Sequence, residues 1–149
     1  MSTYIGMDYG KKRIGVAYCD DSETFCFGLP TLARTKVPLA ETLQQVFALI
    51  DAKNAVALVM GLPRNMDGSE GFMADAVYDF ADALLEKRPE LPIYLLDERL
   101  TSKIAEQHIR ESGKAPSRHK GLIDEEAARG ILTDFLKTPP ERRNLYSPI

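Results

Sequence analysis

Apolar and polar positions alternate along residues 3–9, with Ile5 and Met7 on one face and Tyr4 and Gly6 on the other. This period of two predicts a strand. Gly10-Lys11-Lys12 reads as a tight turn, and residues 13–19 as a second strand. A polar turn from Asp20 to Thr24 leads to a third strand over 25–33, where Pro30 marks an edge or an irregular end. Three short strands with short links predict an antiparallel meander.

The period then changes. Leu39, Leu43, Val46, Phe47 and Ile50 recur at helical spacing, with Pro38 where a first-turn proline is tolerated. Residues 55–60 are an uninterrupted apolar run, as in a central strand buried on both faces and paired in parallel. Gly61 to Gly71 reads as a loop. A helix follows over about 72–88, with Met73, Val77, Phe80, Ala81 and Leu84 inward, and residues 92–96 form a fifth strand. Thr101 to Ser112 predicts a surface helix with a thin apolar face of Ile104, Ala105 and Ile109, closed by Gly113 and Pro116. Residues 114–121 read as a basic loop. The last helix is expected over about 124–137, with Ala127, Ala128, Ile131, Leu132, Phe135 and Leu136 inward. Beyond Thr138, Pro139-Pro140 suggests a loose tail in which Leu145 and Tyr146 could dock.

The expected fold is therefore α/β: a five-stranded mixed sheet, order βββαβαβαα, with residues 55–60 central and helices on both faces. The 149 residues suit one domain over 1–138, with a tail over 139–149. In such sheets sites form at the carboxyl ends of the parallel strands.

Composition narrows the function. Hydrophobic residues make up 44% and charged residues 28%, which excludes disordered, collagen-like and coiled-coil chains. The longest apolar run, Ala55 to Met60, is far short of the ~18 residues of a membrane span. The first residues lack the basic n-region of a signal peptide, so the expected address is the cytoplasm, without a membrane partner. Cys19 and Cys26 could flank a hairpin but form neither a disulfide framework nor a CxxC metal spacing, and read as small apolar residues.

The net charge of −3 does not mark a nucleic-acid binder, but its distribution is uneven. Asp67 to Glu98 carries nine acidic and two basic residues; Arg99 to Lys120 carries six basic and two acidic. The second stretch is a candidate polyanion strip, and Lys103, Arg110, Lys114, Arg118 and Lys120 are expected along a nucleic-acid backbone. A solvated charged surface would look the same.

Three carboxylates stand where chemistry is expected. Asp8 is near the end of the first strand, among core residues, where an unpaired charge is costly; an aspartate starting the Gly10 turn is the plainer reading. Asp97 and Glu98 end the fifth strand and point to opposite faces, so one of them at most joins Asp8. Asp124 reads by itself as a helix N-cap, a role compatible with ligation. Converging from two strand ends and a helix start, Asp8, Glu98 and Asp124 would offer oxygen ligands to Mg²⁺ or Mn²⁺. Two ions about 3.5–4 Å apart can clamp the attacking and leaving oxygens of a phosphodiester, so the carboxylates are expected within about 8 Å of one another. His108 and His119 are too few for a zinc site. Arg64 and Asn65, after the buried strand, can donate to phosphate oxygens. Gly10-Lys11-Lys12-Arg13 lacks Walker A spacing, yet Lys11 and Arg13 are also candidate nucleic-acid ligands.

Four segments resemble, in order, the motifs of the YqgF/RuvX family: Asp8-Tyr9-Gly10-Lys11-Lys12-Arg13-Ile14-Gly15-Val16-Ala17, Gly61 to Gly68, Asp97-Glu98-Arg99-Leu100-Thr101-Ser102, and Lys120 to Asp124 with Ala127-Ala128 and Ile131-Leu132. The resemblance covers about residues 4–136. It implies an RNase H-like fold and a nuclease maturing the 5′ end of pre-16S ribosomal RNA, with Asp8, Glu98 and Asp124 as its acidic triad. A resolvase acting on branched DNA is the alternative. The expected partners are structured RNA or branched DNA, and the chain is expected to be a monomer or weak homodimer. An ATPase of the actin/hexokinase type would need a second such domain, and a non-catalytic RNA-binding module would need no converging carboxylates.

Overall fold

The computed structural model describes residues 2–20, 26–63, 71–97 and 120–148, with the backbone alone at residue 72 and residues 120–124. The predicted helix at Thr101–Ser112 and the loop residues 114–119 lie outside the described residues. Strands β1 (Thr3–Tyr9), β2 (Arg13–Asp20) and β3 (Phe27–Ala33) form the expected meander. Helix α1 (Leu39–Lys53), β4 (Ala57–Leu62), α2 (Phe72–Lys87), β5 (Ile93–Asp97) and α3 (Lys120–Lys137) follow. The sheet order is β3-β2-β1-β4-β5-β6, with β1, β4 and β5 parallel. The buried run is central, as expected, although the strand extends to Leu62 rather than ending at Met60.

The sheet has six strands rather than five. After a 3-10 turn at Pro140–Arg142, Asn144 and Leu145 form β6, which pairs antiparallel with β5. A two-residue strand leaves no readable alternation; only the docking of Leu145 and Tyr146 was legible.

Each face of the sheet has its own apolar layer. Ile5, Met7 and Tyr9 of β1 and Leu58, Met60 and Leu62 of β4 pack with Leu43, Val46 and Ile50 of α1 and with Val77, Phe80 and Leu84 of α2. On the opposite face Ala17, Cys19 and Val59 meet Ala128, Ile131, Leu132 and Phe135 of α3. Both cysteines are buried, and neither is in a disulfide. Helix α3 lies close because Gly6 has no side chain: a Cβ there would sit 2.5 Å from Leu132 Cγ and 3.1 Å from the Ala128 carbonyl oxygen. At the far end of α3, the Phe135 ring packs 5.4 Å from Tyr4 and 5.0 Å from Tyr94. Helix α1 stops at Asn54, whose left-handed φ of 52° lets its N–H bond back to the Asp51 carbonyl. Arg88 then ties α1 to the end of α2 through a two-pronged contact with Asp51 at 2.8 and 2.9 Å, which lowers the Asp51 pKa.

The tail is fastened by Tyr146. Its N–H donates to the Ile93 carbonyl at 2.7 Å, and its hydroxyl donates to Asp82 Oδ1 at 2.6 Å. Burial, then the bond to the Asp82 carboxylate, push the phenol from 10.0 up to about 12. A raised folded pKa stabilises the docked tail fully below pH 10, and that contribution is lost as pH rises through about 12. The tyrosine absorbance titration of the wild type minus that of Tyr146→Phe should accordingly have its midpoint near 12. A midpoint near 10 would mean that the Asp82 contact does not form in solution.

Candidate nucleic-acid-processing site

Asp8 is the penultimate residue of β1. Since Met7 and Tyr9 face α1 and α2, strand alternation turns Asp8 to the α3 face, where it is half-buried. Its cross-strand partner in β2 is Gly15. In the parallel ladder Met7 is level with Met60, so the next residue of β4, Gly61, is level with Asp8. Gly15 and Gly61 are both buried in the sheet. No side chain rises from the neighbouring strand positions on either side of this carboxylate.

The sequence pattern alone does not mark these glycines as parts of a site, although a glycine inside an otherwise well-formed strand signals a close approach of something to the backbone. Gly61, which reads in the sequence as the start of a loop, lies inside β4.

Helix α3 runs antiparallel to β1. Phe135 packs by Tyr4, and Leu132 and Ala128 lie over Gly6. Two residues further along β1 is Asp8, an advance of about 6.8 Å. One turn further back along α3 from Ala128 is position 124, an advance of about 6 Å in the same direction. The backbone positions of Asp8 and Asp124 thus lie toward the same end of this strand–helix pair. Helix α3 already runs from Lys120, so Asp124 is not its N-cap, and Lys120 and Gly121 are helical rather than part of a basic loop. Position 124 falls on the stripe of the buried residues Ala127, Ala128, Ile131 and Phe135.

The alternation along β5 fixes the face on which Asp97 lies. Ile93 and Leu95 enter the α1/α2 core, whereas Tyr94 and Leu96 pack on the α3 side. Asp97 therefore belongs to the α1/α2 side; it is exposed and level with Leu62. It does not share the face of Asp8. Glu98 lies outside the described residues, as do Arg64, Asn65, Lys103, Arg110, Lys114 and Arg118. Lys11 is exposed and Arg13 half-buried at the β1–β2 turn. Among the described residues no group of three or more His, Cys, Asp or Glu side chains could hold a metal. Of Asp8, Glu98 and Asp124 only Asp8 has a described side chain; its carboxylate is a hard oxygen donor of the kind a magnesium-type ion takes.

Arg34 was not singled out by the sequence. Its guanidinium carbon stands 4.0 Å from the centre of the Tyr9 ring, and its Nη1 donates to the Gly10 carbonyl at 2.5 Å. Burial raises the Tyr9 pKa, Arg34 opposes that rise, and Asp79 adds to it.

The chain matches the family model described as "RuvX: Holliday junction resolvase" over residues 2–138. It is 45% identical over 132 residues to a Crocosphaera subtropica protein named "Putative pre-16S rRNA nuclease", covering 89% of this chain and 90% of that one. A protein of the same name from Natranaerobius thermophilus is 37% identical over 140 residues, covering 94% and 97%. Among solved structures, Thermus thermophilus RuvC in complex with a Holliday junction substrate superposes with a TM-score of 0.61 at 15% identity, covering 98% of this chain and 100% of that one. The latter likeness concerns the fold alone.

The glycine-flanked position of Asp8 generates a test. Gly15→Val keeps a strand-forming residue but raises a branched side chain next to the carboxylate. Phosphodiester cleavage should fall by about 10²-fold, the scale of a misplaced reacting group, while the far-ultraviolet circular dichroism is unchanged. Full activity in a folded Gly15→Val protein would contradict a site floored by these glycines.

Proposed function

Because the chain belongs to the RuvX family, we propose that it is a divalent-metal-dependent endonuclease that processes the 5′ end of pre-16S ribosomal RNA in the cytoplasm. The catalytic unit is residues 1–138, with 139–149 as its tail. The observation that carries this reading is Asp8, set on the α3 face between two glycines at the carboxyl end of β1. Glu98 and Asp124 complete the triad. A strand alternating as β5 does through Asp97 would present the next residue to the face of Asp8, and α3 brings position 124 toward the same end.

Asp8, Glu98 and Asp124 would hold Mg²⁺ or Mn²⁺, which when bound supplies a nucleophile at neutral pH and offsets charge on the phosphate. The three carboxylates orient that group, and Gly15 and Gly61, having no side chains, leave the space beside Asp8 unobstructed. Lys11 and Arg13 on the hairpin, Arg64 and Asn65 after β4, and Lys103, Arg110, Lys114, Arg118 and Lys120 bind the flanking phosphates. Such contacts position the chain without reading its sequence.

Purified protein assayed on precursor ribosomal RNA and on a four-way DNA junction, each with Mg²⁺, Mn²⁺ or EDTA, tests the assignment. Cleavage of the RNA, abolished by EDTA and in a folded Asp8→Asn variant, is the expected outcome. Junction cleavage with intact RNA would favour the resolvase reading instead. Activity retained by Asp8→Asn at saturating Mn²⁺ would remove Asp8 from the mechanism.

A further inference from the structure

The turn that follows Asp8 is built against local preference. Its central residues are Lys11 and Lys12, with Arg13 next, so three like charges adjoin. Stable two-residue hairpins favour Asn-Gly or Asp-Gly with both central residues at positive φ. Among the described non-glycine residues, only Lys36 and Asn54 have positive φ, so this turn does not use that solution. The Gly10 N–H donates to the Arg13 carbonyl at 2.9 Å. The turn is tight, since a Cβ on Gly10 would meet that carbonyl oxygen at 2.7 Å.

An outside residue holds it. Arg34 follows the last β3 residue, Ala33, which pairs with Arg13. The Arg34 backbone N–H donates to the Lys12 carbonyl at 2.9 Å, and its Nη1 donates to the Gly10 carbonyl at 2.5 Å. Its guanidinium lies over the Tyr9 ring, which packs 4.6 Å from Phe80 of α2. Arg34 thus links the turn to the core, although it adds a fourth cation to the cluster. Lys11 and Lys12 remain exposed. A local arrangement that concentrates repulsion and is secured from elsewhere is characteristic of a functional element.

We propose that Arg34 is a positioning residue: it holds the Lys11–Lys12 turn, two residues beyond Asp8, in the geometry that receives a nucleic-acid phosphate backbone. The proposal rests on the nuclease reading and extends it to a residue outside the four motifs. Planarity matters as much as charge here. A guanidinium can stack on a ring and donate in its plane at once, whereas a lysine ammonium cannot.

The test is a double-mutant cycle, read as the Kd for a single-stranded RNA oligonucleotide by fluorescence anisotropy in EDTA, so that binding is separated from cleavage. Thermal melts accompany each protein. Arg34→Ala should weaken binding about five- to tenfold, the scale of one lost hydrogen bond from a charged donor. In a Lys11→Ala/Lys12→Ala background, adding Arg34→Ala should weaken it no further. Arg34→Lys, which retains the charge, should lose nearly as much as Arg34→Ala. Multiplicative effects would show that Arg34 acts independently of the lysines and would overturn the proposal, as would full rescue by lysine or an unchanged Kd in Arg34→Ala. Failure of the nuclease reading looks different: the wild type would neither bind the oligonucleotide nor cleave RNA when metal is restored, and the proposal would fall with it.

Discussion

β1 is packed on both faces, and this governs the rest of the site. Ile5, Met7 and Tyr9 enter the α1/α2 core, so Tyr4, Gly6 and Asp8 must face α3. Only a strand with no side chain at Gly6 lets the helix lie close enough to bury Ala128 and Leu132. Asp8, half-buried, occupies the carboxyl end of β1, where α3 passes from Ala128 back toward position 124. The same packing that completes the second core therefore brings two acidic positions toward one end of the sheet.

Electrostatics reinforce this placement. Asp75, Asp79 and Asp82 of α2 give one side of the sheet an acidic helix, and the β1–β2 turn carries Lys11, Lys12 and Arg13. Arg34 stands between them, over Tyr9, and opposes the burial-driven rise of that phenol. The acidic helix contributes to the α1/α2 layer, whereas Asp8 looks onto the α3 side. In the proposed reading, this distribution would direct a polyanion drawn by the turn to the end of β1 rather than along α2.

Much of this was legible in the chain because the relevant signals are periodic. The run at 55–60, the alternation in β1 and the helical spacing in α1, α2 and α3 each report burial directly. Boundaries were less legible for physical reasons. Gly61 and Leu62 resembled the start of a loop because a glycine has no side chain to show which face it occupies; the parallel ladder carries β4 through both. Gly121 is a weak helix former and Lys120 closes a basic stretch, so the sequence pattern starts the last helix at Asp124 with that residue as its cap, whereas α3 begins at Lys120 and Asp124 lies inside it. β6 is too short to have a period, and pairing with β5 supplies what its two residues cannot encode. Asp8 could be proposed from its core neighbours, but Gly15 and Gly61 beside it required cross-strand register. Arg34 required tertiary structure altogether, since its partners are the Gly10 and Lys12 carbonyls of the β1–β2 turn, more than twenty residues away in the sequence.

The proposed chemistry requires a divalent ion on the α3 face at the carboxyl end of β1, held by Asp8. Anomalous diffraction from crystals soaked in Mn²⁺ would locate it. The expected peak is coordinated by Asp8, with Asp124 and Glu98 among its ligands, above the Gly15–Gly61 row. A peak on the α1/α2 face beside Asp97, or none near Asp8 at saturating Mn²⁺, would contradict it.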